Sequence, residues 1–357
     1  MMTPEFRIAG KTVGERHPTY FIADISANHD GDIERAKSLI HLAAEAGADA
    51  AKFQNFRAEH IVCDKGFKSL GGQQSHQSKW KKSVFDVYKD ASVPWEWTPI
   101  LKGECDKVGI CYFSTPYDLP AVDMLDPYVP AFKIGSGDLT WPEICLHIAG
   151  KGKPVILATG ASEIGEVVRT VRALHAINPQ LGLMQCNTNY TGSFENFKHI
   201  HLRVLKTYRL MFPQTVLGLS DHTPGHATVL GAVALGARLI EKHFTDDSSR
   251  EGPDHPFSMT PATWRDMVDR TRELEESLGS SIKEVAPNER ETVVIQRRCV
   301  RASRDLPAGV VLTSADFEVL RPSPPDAVQP FDLEKLIGRK TAKAIARHDC
   351  LYWTNVV

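Results

Sequence analysis

The sequence predicts an α/β protein: a (β/α)8 TIM barrel followed by a small β-rich domain. Two observations carry this expectation. Short apolar runs alternate with helix-length stretches about eight times in ~280 residues, the count and size of such a barrel. The alternation then stops near Leu278 and the chain changes character. A doubly wound open sheet is the rival arrangement. It usually carries a glycine-rich dinucleotide turn after its first strand, whereas Ile25 is followed by Ser26-Ala27-Asn28-His29-Asp30-Gly31-Asp32.

The strands are expected, in order, at Tyr20–Ile25, Ala50–Gln54, Cys111–Ser114, Ala131–Ile134, Pro154–Ala158, Leu181–Cys186, Val216–Leu219 and Leu239–Glu241. Each is a short apolar run of the kind buried on both faces of a parallel sheet. Helices are expected at Ile33–Ala46, Trp95–Val108, Ala121–Leu125, Trp141–Ile148, Ile164–Ala176, Leu202–Phe212, Ala227–Leu235 and Pro261–Leu278. The barrel then spans residues 1–280, a polar linker 281–297, and a small domain 298–357. That last piece has turn signals (Asp305-Leu306-Pro307-Ala308-Gly309, Arg321-Pro322-Ser323-Pro324-Pro325) and short β-like runs. Cys63 to Ala91 breaks the pattern as a long polar segment, read as a lid or substrate loop.

Composition narrows the function. A formal net charge of −2 removes the electrostatic case for nucleic acid or membrane binding. No apolar run approaches the ~18 residues of a membrane span, and Met1 to Gly10 lacks a signal-peptide core. The seven cysteines show no C-x-x-C pairing, which suits reduced thiols and a cytoplasmic protein.

The chemistry sits at the predicted strand ends. His222 and His243 each close an apolar run, with one helix-length segment between them. That places both imidazoles on the carboxyl rim, where barrel enzymes keep their active sites. Two neutral imidazoles near carboxylates suit a divalent metal, although either can also be a core or cap residue. Lys52 and Lys133 lie in otherwise apolar strands, where a lysine is costly to bury unless it meets an anion. Lys133-Ile134-Gly135-Ser136-Gly137-Asp138 looks like an anion-binding turn. Asp24, Gln54, Thr115, Asn187, Thr188, Tyr190, Ser220 and Glu241 complete a polar rim.

The motifs also carry a resemblance. Phe21-Ile22-Ala23-Asp24-Ile25-Ser26-Ala27-Asn28-His29-Asp30-Gly31-Asp32, Ala46-Gly47-Ala48-Asp49-Ala50-Ala51-Lys52-Phe53-Gln54 and Phe113-Ser114-Thr115-Pro116-Tyr117-Asp118 come first. Pro130 to Asp138, Gly218 to Thr223, Glu241 to Thr245 and Gly252-Pro253-Asp254 follow in order. Together they resemble the sialic acid (N-acetylneuraminate) synthase family, which includes the pseudaminic and legionaminic acid synthases, over nearly the whole chain. The last domain is similar to that family's antifreeze-like (SAF) domain.

The resemblance implies a transferase that condenses phosphoenolpyruvate with an N-acylated amino-hexose to a nine-carbon nonulosonic acid and phosphate. It implies Mn2+ or Mg2+ on His222 and His243. By the same resemblance Lys52, Thr115, Lys133, Ser136, Asn187, Thr188 and Ser220 hold phosphoenolpyruvate, and Asp24, Gln54, Tyr190 and Asp254 face the sugar. Glu241, Lys52 and Lys133 would be catalytic, with Glu241 a candidate general base. A domain-swapped homodimer would bring Arg321 to the sugar's acyl group. The chain departs from the family at Asp24 (usually Glu), at Ala158 (usually Ser) and in Cys186-Asn187-Thr188. These leave the acceptor sugar open. A metal-dependent pyruvate aldolase and a non-catalytic sugar-binding protein are the other readings of the same barrel.

Overall fold

A computed structural model describes residues 3–357. The chain forms two compact units, Met1–Gly279 and Ser280–Val357. The first opens with an antiparallel hairpin, β1 (Glu5–Ile8) and β2 (Lys11–Gly14), which sequence reasoning missed. Ala9 and Gly10 both take positive φ at its two-residue turn, as a tight hairpin requires.

Eight parallel strands follow: β3 (Tyr20–Asp24), β4 (Ala50–Asn55), β5 (Cys111–Pro116), β6 (Phe132–Ile134), β7 (Val155–Ala158), β8 (Leu181–Cys186), β9 (Val216–Asp221) and β10 (Leu239–His243). Their ladder order is β5-β4-β3-β10-β9-β8-β7-β6, so the last strand pairs with the first. Strands β5 and β6 lie side by side without a ladder, which leaves the barrel nearly closed. Every predicted strand is present. The last two run further than expected, to Asp221 and His243, because the polar residues there are buried by the rim rather than turned to water.

Side chains alternate between two cores. Phe21, Phe53, Tyr112, Phe132, Leu157, Leu183, Leu219 and Ile240 point outward and pack against the helices. Tyr20, Ile22, Ala50, Phe113, Ala131, Ile156, Met184, Val216 and Leu239 fill the barrel with Phe6, Ile8 and Val13 of the hairpin. The hairpin therefore supplies apolar side chains that complete the barrel filling. Gly218 makes this filling possible. A Cβ there would lie 2.7 Å from the Leu239 carbonyl oxygen and 2.9 Å from Met184 Cγ. Gly218→Ala is expected to cost about 1–3 kcal/mol in a denaturant melt, as other overpacked cores do.

Helix boundaries follow their caps. The Asp32 carboxylate accepts from the Glu34 and Arg35 amides and starts the helix Ile33–Glu45. Gly109, in the left-handed region, ends Trp97–Val108. The segment expected as a loop, Cys63 to Ala91, instead holds helices Asp64–Ser69 and Val84–Ala91 and a 3-10 turn Ser75–Lys79. The expected linker is likewise partly helical, at Arg290–Gln296.

The second unit pairs β11 (Cys299–Ala302) with β12 (Phe317–Leu320) in antiparallel fashion. Isolated bridges and turns complete it around Val300, Leu306, Leu312, Val328, Leu336, Ile345 and Leu351. Among the described residues no helix is long and apolar enough to cross a membrane.

Candidate active site at the carboxyl rim

Two residues beyond the apolar layer, the same inward face turns polar on most of the strands, although β7 keeps Ala158 there. Ile22 gives way to Asp24, Ala50 to Lys52 and Gln54, and Phe113 to Thr115. Ala131 gives way to Lys133, Met184 to Cys186, and Leu239 to Glu241 and His243. The period of two that fills the barrel therefore also aims these groups into one cavity of about 580 Å³.

At its floor two buried lysines meet two buried carboxylates. Lys52 Nζ lies 2.7 Å from Asp24 Oδ2 and 3.8 Å from Glu241 Oε2. Lys133 Nζ donates to Glu241 Oε1 at 2.6 Å, and Ser220 Oγ donates to the same oxygen at 3.0 Å. Burial alone would strip Lys52 of its proton, but Asp24 and Glu241 outweigh it and its pKa is raised. Burial would likewise neutralise Glu241, yet Lys133 and Lys52 hold its pKa below the ordinary carboxylate value. Glu241 Oε2 still has no hydrogen-bond partner. Lys52 and Glu241 are thus held ionised while the floor stays incompletely satisfied, a state in which an incoming anion can take over the lysines.

Asp24 is tied down as well. It accepts from Gln54 Nε2 at 3.3 Å and from the Ser26 amide at 3.1 Å. Ser136 Oγ accepts from the Gly160 amide at 3.0 Å beside the lysines. A Cβ on Gly160 would lie 2.5 Å from Thr188 Cγ2, so the close approach of these loops needs glycine.

The histidines form the other half. Their ring centroids are 5.3 Å apart. The His222 Nδ1–H donates to the Asn187 carbonyl at 2.9 Å, which leaves Nε2 as the lone-pair nitrogen. Burial and then the neighbouring His243 ring push the His222 pKa well down, so it is neutral. His243 Nδ1 is buried without a hydrogen-bond partner, 3.8 Å from Asp254 Oδ2, and Nε2 is 3.6 Å from Asp24 Oδ2. Asp254 is held by Ser26 Oγ at 2.5 Å. A neutral His222 imidazole, an orphaned ring nitrogen on His243 and adjacent carboxylates are the donor set a divalent cation takes. No cluster of three or more His, Cys, Asp or Glu side chains is already arranged around one point among the described residues.

The cavity brings together Asp24, Lys52, Gln54, Thr115, Lys133, Ser136, Thr188, Tyr190, Ser220, His222, Glu241, His243 and Asp254. One expected residue stands elsewhere. Asn187 is absent from the lining: its carbonyl orients His222, and its amide donates to the His199 carbonyl at 3.4 Å. Arg321 is exposed, in the second unit. His29 orders its own loop, accepting from the Gly31 amide, and His255 is locked between Thr245 and Asp30 outside the cavity.

Sequence reasoning pointed to 63–91 as a lid or substrate loop, and that segment does line the cavity, but it assigned no individual residue to the wall. Phe56, Ile61, His76, Trp80, Val87, Tyr88 and Tyr117 also line the cavity, as does Asp138. Val84, Val87 and Tyr88 are spaced as one helical face, a signal that could have found them. Asp138 Oδ2 is buried without a partner, and burial raises the carboxyl's pKa to about 6.

Fold and rim together define a class: an α/β-barrel protein with a buried lysine–carboxylate centre beside a histidine pair. More particularly, the chain belongs to the NeuB family, whose match covers residues 39–283, with a SAF domain at residues 297–357. It is 31% identical to the human N-acetylneuraminate-9-phosphate synthase, over 96% of this chain and 94% of that one. It is also 31% identical to the N,N'-diacetyllegionaminic acid synthase of Legionella pneumophila, over 97% of each. Among solved structures, the N-acetylneuraminic acid (sialic acid) synthetase of Leptospira borgpetersenii superimposes with a TM-score of 0.71 at 28% identity. That match covers 82% of this chain and 96% of the other.

Proposed function

We propose that this protein condenses phosphoenolpyruvate with an N-acylated amino-hexose and water, giving a nine-carbon nonulosonic acid and inorganic phosphate. The observation that carries the reading is the floor: two buried lysines held by carboxylates that a more highly charged anion can displace. Lys52 and Lys133, with Thr115, Ser136, Thr188 and Ser220, receive the carboxylate and phosphate of phosphoenolpyruvate. Asp24, Gln54, Tyr190 and Asp254 face the sugar, and His222 and His243 hold Mn2+ or Mg2+. When bound, the ion supplies Lewis-acid polarisation of the sugar aldehyde.

The residues then orient the reactants. C3 of phosphoenolpyruvate bonds to the aldehyde carbon, water adds at C2, and the bond from C2 to the phosphate oxygen breaks. Glu241, kept ionised by two lysines, is a weak base; it holds Lys133 and Lys52 in place. Asp138 is better suited to accept the proton of the attacking water, because burial raises its pKa to about 6 and its Oδ2 is unpartnered. A homodimer exchanging its small domains would add Arg321 from the second copy at the acyl group. The seven free cysteines suit a cytoplasmic setting.

The test is phosphate release. It is expected only when phosphoenolpyruvate, an amino-hexose and a divalent metal are all present, and EDTA should abolish it until Mn2+ or Mg2+ is restored. Absence of release with every N-acylated hexosamine overturns the reading. Consumption of free pyruvate without phosphate would indicate an aldolase instead.

A further inference from the structure

The second unit holds a pair of thiols that the reaction proposed above does not use. Cys299 opens β11 and is buried, and Cys350 is half-buried. Their sulfurs are 3.5 Å apart, although the two residues are 51 positions apart in sequence. The backbone explains the contact. Arg301 faces Cys350 across an antiparallel bridge, with the Leu351 amide on the Val300 carbonyl at 2.9 Å and the Ala302 amide on the Asp349 carbonyl at 3.0 Å. Cys299 stands two residues before Arg301 on the same face, so it is the diagonal neighbour of Cys350.

Cys299 also anchors a turn. Its Sγ donates to the Pro322 carbonyl oxygen at 3.3 Å, and Arg301 Nη2 donates to the same oxygen at 2.7 Å. The next residue is fixed as well. The Ser323 amide donates to the Val294 carbonyl at 2.8 Å, and Gln329 Nε2 donates to Ser323 Oγ at 3.1 Å. Arg321 immediately precedes this anchored stretch.

We propose that Cys299 and Cys350 form a reversible disulfide by exchange with a low-molecular-weight disulfide, and that the bond loosens the turn carrying Arg321. Intracellular disulfides are commonly transient redox sites of this kind. The half-buried Cys350 begins the exchange. Its thiol gives its proton to water, and its sulfur bonds to one sulfur of the small disulfide, whose other half leaves as a thiolate. Cys299 then loses its proton and attacks Cys350 Sγ, and the second small thiolate leaves. Each thiolate takes up a proton, so two protein thiols and one small disulfide become one protein disulfide and two small thiols. The protein is oxidised by two electrons and the small disulfide is reduced by two. Burial, and then the neighbouring Cys350, push the Cys299 pKa up to about 11, which keeps Cys299 from reacting first.

Once bonded to Cys350, the Cys299 sulfur has no proton to give Pro322, and Arg301 holds that carbonyl alone. Diagonal residues are also further apart than directly opposed ones, so the bond draws the two strands locally towards each other. The effect on activity rests on the reaction and the exchanged dimer proposed above. Oxidation should raise KM for the amino-hexose about threefold, the worth of one hydrogen bond, and leave KM for phosphoenolpyruvate unchanged.

The test uses full-length Cys63→Ser protein, which lacks the exposed thiol, incubated with oxidised glutathione and mapped as peptides without reduction. A Cys299–Cys350 cross-linked peptide that dithiothreitol removes is the expected result. Glutathione left on Cys350 alone, or no cross-link, overturns the site. The Ser323 amide should exchange hydrogen faster in the oxidised protein, and unchanged exchange overturns the loosening of the turn. Cys350→Ser should show neither the cross-link nor the rise in KM. A rise that persists in that variant overturns the assignment to this pair. No phosphate release from the reduced protein overturns the proposed reaction alone, because the cross-link and the exchange are read without activity.

Discussion

Replacing Lys133 by methionine is expected to lower kcat/KM for phosphate release by about 10²–10³-fold, the usual cost of removing one group that stabilises developing charge. It should also destabilise the barrel. Glu241 is buried, and Lys133 is its nearest cation, at 2.6 Å. Lys52 remains 3.8 Å away and Ser220 still donates, so the loss should fall near the lower end of the range for a broken buried pair, about 3 kcal/mol. The double variant Lys133→Met, Glu241→Gln separates the two effects. Its denaturation midpoint should return most of the way to wild type, because the uncompensated charge is gone, while phosphate release stays low. Recovery of activity in the double variant would show that Lys133 serves only to balance Glu241 and never touches the substrate.

The contrast between these two roles explains how much of the site could be read from the chain. A lysine within an apolar strand is visible in one dimension, because nothing in a barrel core excuses it except an anion. That logic located Lys52 and Lys133, and the strand-end positions of His222 and His243 gave the histidine pair. The eight strands were legible for a related reason: strands buried on both faces are short continuous apolar runs. What was not legible depends on contacts remote in sequence. Asn187 was expected among the phosphoenolpyruvate-binding residues; that its carbonyl orients His222 was not legible, because a backbone oxygen has no sequence signature. The partnership of Glu241 with both lysines spans strands that are 108 residues apart in the case of Lys133. The hairpin β1–β2 escaped notice because two four-residue strands give too few alternations to register. The 63–91 wall looked like a loop because its apolar residues are sparse. They gather on one side only once Val84–Ala91 is wound as a helix.

Lys242→Met should unfold the barrel more readily than any rim substitution of similar size, although Lys242 does not line the cavity. Lys242 follows Glu241 directly, so it points to the opposite face of β10, and it is 1% exposed. There it pairs with Asp221 at the end of β9 and donates to the Thr223 carbonyl at 2.6 Å. Asp221 also accepts from the hydroxyls of Thr223 and Thr228, each at 2.8 Å. This network fixes the turn that carries His222. Removing the lysine strands a buried carboxylate, for a cost of about 3–5 kcal/mol near neutral pH. The pH dependence gives the sign. In the wild type, burial opposes ionisation of Asp221 but Lys242 and the two threonines outweigh it, and the carboxyl's pKa is lowered. That stability is present above the unfolded carboxylate value and is lost as pH falls through the folded one. Without Lys242, burial dominates and the folded pKa moves above the unfolded value. The penalty is then largest above that raised pKa and is released as acid protonates Asp221. The difference between wild type and Lys242→Met, taken from urea denaturation, should therefore be widest at pH 7.5 and narrow towards pH 4.5. A constant difference across that range would place the lysine's contribution in the packing of its aliphatic stem rather than in its charge.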